Sequence, residues 1–324
     1  MALQKELLAL ALCASVLAGC GTKADGGGAA SVSTGAASSQ QAGAERAGDE
    51  APPAEQTGGF DGKRSFAHVA KQVGFGPRPS GSAAIGKLQE YIQSELTSYG
   101  CKVDVDSFSS DTPVGRLAMK NIVAKIPGDK PGIIMLATHY DTKRLEHFVG
   151  ADDGASSTAV MLELARLLCG RRGPYQVWIT FFDGEEAVKF IWQDPDNRYG
   201  SRQMAARLAM SGDLPKIKAV LLADMVGSRN LRFRREADST KALTDLIWST
   251  AARLGYSNIF VNESSSTVDD HIVFLKRGVP AVDVINFEIP YWHTVEDTLD
   301  KVSAKSLAIT GHVFLESLKQ LQSK

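Results

Sequence analysis

The chain has no block of like charge. Its 36 basic and 37 acidic residues nearly cancel, to a formal net charge of −1, so neither nucleic acid nor an anionic membrane surface is indicated as a partner. No apolar run is long enough to cross a bilayer. The one near the start, Leu7 to Leu17, has roughly half of the ~20 residues that a spanning helix needs. No internal repeat divides the sequence. Cysteine is scarce, with four in 324 residues, and two of those, Cys13 and Cys20, fall in the N-terminal segment.

That segment has an order of its own. A short stretch holding Lys5 and Glu6 precedes the apolar run, which reads as the h-region of a signal peptide. It ends in Leu17-Ala18-Gly19-Cys20, which resembles the lipobox of bacterial lipoproteins. The resemblance implies a signal peptide over 1–20 and lipidation of Cys20. It also implies an exported protein, held by its lipid anchor on the periplasmic side of a bacterial cell envelope. Residues 21–59 are rich in Gly, Ala, Ser and Gln, with almost no large apolar side chains. Such a segment cannot bury enough surface to offset chain entropy and reads as a disordered linker. The remainder, 60–324, suits one large α/β domain. An exported location would permit a disulfide between Cys101 and Cys169, which spacing alone does not decide.

Hydrophobic periodicity predicts helices over 67–73, 84–99, 156–168, 201–210, 240–254 and 303–322. It predicts strands over 102–108, 119–126, 132–137, 176–182, 217–223 and 281–285. Three of the strands, at 132–137, 176–182 and 217–223, are continuous or nearly continuous apolar runs, as expected where both faces are covered. Ser156 or Asp152 offers a cap for the helix that follows. Alternating strands and helices argue for a largely parallel sheet with helices on both sides. In such sheets, sites form beyond the carboxyl ends of the strands.

The polar residues gather there. The strand at 132–137 leads into His139-Tyr140-Asp141, and Asp152-Asp153 precedes a helix. The strand at 176–182 runs into Asp183-Gly184-Glu185-Glu186, and the one at 217–223 into Asp224. Asp269-Asp270-His271 and Trp292-His293-Thr294 come later. Asp, Glu and His are ligands zinc uses, and catalytic zinc takes three protein ligands with one open position. His139 and Asp141, two apart on an extended chain, face the same way. Glu185 and Glu186 point apart, so one can bind metal while the other faces the reacting atoms. Each cluster alone is weak: an isolated His is more often structural, and Asp152-Asp153 can simply favour a helix N-terminus.

Their order resembles that of the M28 peptidases: His-x-Asp, Asp before a helix, Glu-Glu, Asp, and a late His-Thr followed by Glu-Asp-Thr. The resemblance implies a zinc aminopeptidase-like fold, with three αβα layers and a mixed, mostly parallel sheet. In the two-zinc aminopeptidases of that group the matching positions are His139, Asp153, Glu186, Asp224 and His293, with Glu185 as general base. Finer features resemble the animal-type glutaminyl-peptide cyclotransferases: Trp192, Tyr199-Gly200-Ser201-Arg202, Asp269-Asp270-His271-Ile272, and Trp292 directly before His293. That resemblance implies one zinc per chain on Asp153, Glu186 and His293, with Glu185 as proton shuttle. Asp224 and Asp269 are implied as supporting acids, and Trp192 and Trp292 as walls around a substrate glutamine. It implies peptides and proteins with N-terminal Gln as substrates. His139 and Asp141 are then left beside the metal ligands. The rival reading is the two-zinc aminopeptidase. Two departures stand out: a cysteine pair of the animal enzymes is matched by Thr138 and Thr158, and a histidine by Asp283.

Overall fold

A computed structural model describes residues 50–323. The signal segment, Cys20 and linker residues 21–49 lie outside the described residues. The folded part starts before Phe60, so the linker drawn to residue 59 is too long. A 3-10 turn over Ala54–Thr57 buries Thr57, whose hydroxyl donates to the Phe60 carbonyl at 2.6 Å. Phe60 is fully buried and occupies the space a side chain at Gly311 would need.

The described strands are β1 (Lys102–Thr112), β2 (Gly115–Ile126), β3 (Ile133–His139), β4 (Gln176–Phe182), β5 (Ile217–Asp224), β6 (Phe233–Glu236), β7 (Phe260–Ser265) and β8 (Ala281–Ile285). The helices are α1 (Gly62–Val73), α2 (Ala83–Ser98), α3 (Ala155–Leu168), α4 (Tyr199–Met210), α5 (Lys241–Arg253), α6 (Asp270–Leu275) and α7 (Ala304–Gln322). Six strands form one sheet in the order β1-β2-β4-β3-β5-β8. The β1–β2 and β2–β4 pairs are antiparallel, and β4–β3, β3–β5 and β5–β8 are parallel. A separate parallel pair joins β6 to β7.

Alternation along β3 explains the layers. Ile134 and Leu136 face one core with α1, α2, α3, α5 and α7, while Ile133, Met135 and Ala137 face another with α4 and α6. Every residue of β3 is buried, which is why its sequence is a run and not an alternation. The parallel strands β3, β4 and β5 all end on the same edge, and the polar clusters follow them there.

Several local signals differ from expectation. Helix α1 starts five residues early because Asp61 caps it, accepting from the Lys63 and Arg64 amides at 2.9 and 3.1 Å. Gly62 is needed there, since a Cβ would lie 2.2 Å from the Ala304 carbonyl of α7. Neither Ser156 nor Asp152 caps α3, whose N-cap is Gly154 with no side-chain bond. Asp152 instead accepts from the Gly227 amide at 2.8 Å and from the Tyr291 hydroxyl at 3.2 Å. The Ser156 hydroxyl is spent on the Asp152 carbonyl.

Cys101 and Cys169 form a disulfide that ties the start of β1 to the C-terminal end of α3, across 68 residues. A closed loop of that size restricts the unfolded chain strongly. Replacing both cysteines by Ser is expected to cost about 2–5 kcal/mol. Denaturant unfolding under oxidising and reducing conditions measures this, and equal midpoints would contradict it.

Candidate active site

Asp153, Glu185, Glu186, Trp192, Asp224, Asp269, Trp292 and His293 line one cavity of about 260 Å³, closed further by Met225, Val268, Ile285 and Phe287. The residues expected from the sequence to carry chemistry therefore meet at one place. His139 and Asp141 stand just behind them, both 1 % exposed. Cys20 lies outside the described residues.

Backbone geometry sets these side chains. Asp153 enters from the turn before α3, where Gly154 has φ +87° and a Cβ would meet the Asp141 carbonyl at 2.7 Å; only glycine suits that turn. Glu185 and Glu186 leave the end of β4, and their amides donate to the two oxygens of Asp141 at 3.0 and 3.3 Å. Asp141 thus holds the Glu-Glu turn. Met225, directly after Asp224, and His293 both have positive φ, 46° and 53°. Non-glycine residues in that region tend to cluster at functional sites, where surrounding structure overrides the strain.

Asp153, Glu186 and His293 form the sharpest cluster. His293 Nε2 lies 2.9 Å from Glu186 Oε1 and 3.3 Å from Asp153 Oδ2. One donor atom from each of the three lies within 4.8 Å of the others, and Glu186 Oε2 is buried without a hydrogen bond. One imidazole and two carboxylates facing a cavity are a donor set that suits catalytic zinc. Burial opposes the His293 cation, but Asp153 and Glu186 outweigh it and raise the imidazole to about 9. Burial also opposes the Asp153 anion, and His139 and His293 more than offset it, holding this carboxyl well below the usual range.

His139, Asp153 and Asp224 form an overlapping cluster. His139 Nε2 is 3.0 Å from Asp224 Oδ1 and 3.4 Å from Asp153 Oδ1, and Nδ1 is 3.7 Å from Asp141. Burial disfavours the His139 cation, yet Asp224, Asp141 and Asp153 carry its pKa well above normal. Glu185 is also raised, here by burial, which lifts it well above the carboxylate range, with His139 opposing and Asp269 adding to the rise.

The two tryptophans are walls with different support. Trp292 stacks on the His293 ring, centroids 4.0 Å apart, and Phe287 leans on Trp292 at 4.9 Å. Trp192 lies in the loop after Glu186. Asp196 fastens that loop by accepting from the Val188 and Lys189 amides at 3.1 and 2.9 Å.

Three contributors were not read from the sequence. Lys143 is buried, with its ammonium 3.4 Å from Glu186 Oε2 and 5.9 Å from the Trp192 ring centroid. Its place directly after His-x-Asp-x was the available signal. Asp297, from the Glu-Asp-Thr after His293, accepts from the Asp152 and Asp153 amides at 2.8 and 3.0 Å, locking the ligand turn. Arg78, fully buried, donates to the Val149 carbonyl at 2.8 Å and the Gly150 carbonyl at 3.2 Å on the same loop, and nothing local to it signals this. Of the two departures, Thr138 and Thr158 do sit together: both hydroxyls donate to the His139 carbonyl, at 2.9 and 3.0 Å. Asp283 is buried in β8.

Residues 121–318 match the sequence pattern of peptidase family M28. The chain is 30% identical over 270 residues to the glutaminyl-peptide cyclotransferase of Drosophila melanogaster, covering 74% of this chain and 76% of that one. Among solved structures, an Acidobacteriales bacterium glutaminyl cyclase superposes with a TM-score of 0.77 at 39% identity, over 82% of this chain and 95% of that chain. A Zn-dependent exopeptidase from Parabacteroides distasonis gives 0.73 at 27% identity, over 79% and 97%. The family match spans β3, β4 and β5 and the ligand-type residues that follow them, and with these relatives the chain belongs to peptidase family M28 and, within it, to the glutaminyl-peptide cyclotransferases.

Proposed function

We propose that the protein converts the N-terminal Gln of peptides and proteins to pyroglutamate with release of ammonia, at a site built for one zinc ion. The observation that carries this is the cavity itself. It is a small pocket between Trp192 and Trp292, with Asp153, Glu186 and His293 on one side and a separate acid, Glu185, on its wall. A glutamine side chain is short and flat enough for such a space.

The reaction joins the substrate's α-nitrogen to the carbonyl carbon of its side-chain amide (Cδ) and breaks the bond from that carbon to the amide nitrogen, closing a five-membered lactam and releasing ammonia. The pocket holds the side chain bent, so that attack is intramolecular and gains its effective molarity. Glu185 takes the proton from the attacking amine and returns one to the departing ammonia. Asp224 and Asp269 accept hydrogen bonds from the substrate's nitrogens. Asp153, Glu186 and His293 would hold the zinc ion, which when bound would supply Lewis-acid polarisation of the side-chain carbonyl. His139 and Asp224 bond to each other beside it. Because the nucleophile is part of the substrate, no activated water is called for.

The His139-Asp153-Asp224 cluster favours a second reading, a two-zinc aminopeptidase. One assay separates the two. The domain purified from about Glu50 onward, given a peptide beginning with Gln and an aminopeptidase substrate, is expected to release ammonia and form the pyroglutamyl peptide. Metal analysis of the active protein is expected to give a ratio near one. Amino-acid release without ammonia, with activity tracking a second metal, would sink the proposal.

Export and anchoring belong to the same proposal. Leu17-Ala18-Gly19-Cys20 is the supporting feature, and the Cys101–Cys169 disulfide is of the kind that persists in an oxidising compartment such as a periplasm. With more than one acyl chain on Cys20, membrane attachment would be stable. The full-length protein is expected in the membrane fraction and Cys20→Ser in the soluble one; unchanged attachment would refute the anchor.

A further inference from the structure

Behind the cavity wall, a second group of acidic side chains is left without the partners that burial demands. Asp283, in the middle of β8, is fully buried, and neither of its carboxyl oxygens has a hydrogen-bond partner among the described residues. Two more orphaned atoms belong to its neighbours, Asp269 Oδ2 and His271 Nδ1. One polar atom from each of these three side chains lies within 4.8 Å of the others.

The other ends of these side chains are committed. Asp269 Oδ1 accepts from the Asp270 amide and caps α6. His271 Nε2 lies 3.1 Å from Glu236 Oε2. Glu236 also accepts from the Ser239 and Asp238 amides, at 2.7 and 3.1 Å, so the Nε2 side of the ring is taken up. His271 Nδ1 faces Asp283 Oδ2 at 3.8 Å, too far for a hydrogen bond.

Two buried carboxyl groups this close cannot both ionise cheaply; repulsion and lost hydration keep a proton on the pair. Apart from the His271 ring, the groups acting most strongly on Asp283 are Asp269 at the cap of α6, Asp224 from β5, Glu236 from β6 and Asp270 from α6, all of them acidic. Asp269 has an amide donor and reaches the cavity, so the charge belongs there. Among the described residues, the Asp283 carboxyl receives no hydrogen bond.

We propose that Asp283 is a carboxylic acid and a positioning residue, which holds the Asp269 carboxylate toward the active-site cavity by donating its proton to Asp269. Burial, followed by Asp269 and Asp224, pushes the Asp283 carboxyl well above its ordinary range, in the same sense. The proposal rests on the cyclotransferase reading only through the place of Asp269 beside the substrate.

Asp283→Asn keeps the shape and offers an N–H donor that does not titrate, while Asp283→Leu fills the space with no donor. Asn is expected to keep kcat within about threefold of the wild type. Leu is expected to lose about tenfold or more in kcat with KM nearly unchanged, as loss of a charge-assisted hydrogen bond to a working carboxylate implies. The infrared absorption of protonated, water-shielded carboxyls should contain a component in the wild type that both variants lack, seen as a difference band. If Asp283→Leu melts below the assay temperature, the Asn variant and the infrared band decide. An Asn variant as slow as Leu, a Leu variant at full rate or an unchanged infrared spectrum would overturn the proposal. So would a second tightly bound metal that the Asn variant loses. Absence of cyclisation by the wild type would strike the functional reading and leave the infrared test standing.

Discussion

Replacing Glu185 by Gln is expected to lower kcat for cyclisation by about 10²–10⁴-fold, the range for removal of a general acid–base, while zinc stays bound. Glutamine matches glutamate in size but cannot carry the proton from the attacking amine to the leaving ammonia. The substitution leaves the local frame alone, because the turn is held by the Glu185 and Glu186 amides on Asp141 and not by the Glu185 side chain. The neighbouring Glu186 faces His293, and that contact persists. KM should move little, since the pocket walls are untouched. Steady-state kinetics with parallel metal analysis check this. A near-normal kcat would remove Glu185 from the proton path.

Glu186→Gln has a different expected result: the metal itself is lost, and activity with it. The carboxylate sits 2.9 Å from His293 Nε2 and, with Asp153, supplies the negative charge of the cluster. Removing a ligand should cost more than the roughly 10–100-fold in affinity that loss of an outer-shell partner costs. The same cluster predicts a pH dependence. In the metal-free protein the His293 imidazole titrates at about 9, above the ordinary histidine value. Its favourable contacts with Asp153 and Glu186 are therefore complete below pH 6.5 and are lost as pH rises through about 9. Zinc must displace that proton, so zinc affinity should rise with pH up to about 9 and metal uptake near neutrality should release protons. Competition with a chelator across pH measures both, and a flat profile or a Glu186→Gln protein that keeps its zinc would contradict this assignment.

Much of the fold was legible because burial writes itself into sequence. The parallel strands β3, β4 and β5 are apolar runs since both faces are covered, and β8 keeps that pattern except for Asp283. What escaped was short and polar. Strand β6 reads Phe-Arg-Arg-Glu and most of β7 is open to solvent; they exist because they pair with each other, which no local pattern announces. Helix α6 has six residues, too few for a periodicity, and is fixed by its Asp269 cap.

The active site divides along the same line. Ligand-type residues stood out because charged groups at the ends of apolar strands are conspicuous. The residues that hold them did not, because their partners are distant in sequence. Asp297 reaches the Asp152 and Asp153 amides from 145 and 144 residues away, and Arg78 reaches the same loop from 72. Lys143 looks like any surface lysine until the fold closes over it.

The central claim is that the nucleophile is the substrate's own amine, so the most direct test follows the oxygen of water. In water enriched in the heavy oxygen isotope, a Gln-peptide turned over by this protein should yield a pyroglutamyl peptide with no label, together with stoichiometric ammonia. Label in the carboxylate of a released amino acid would show that water attacks instead, and would contradict intramolecular cyclisation at this site.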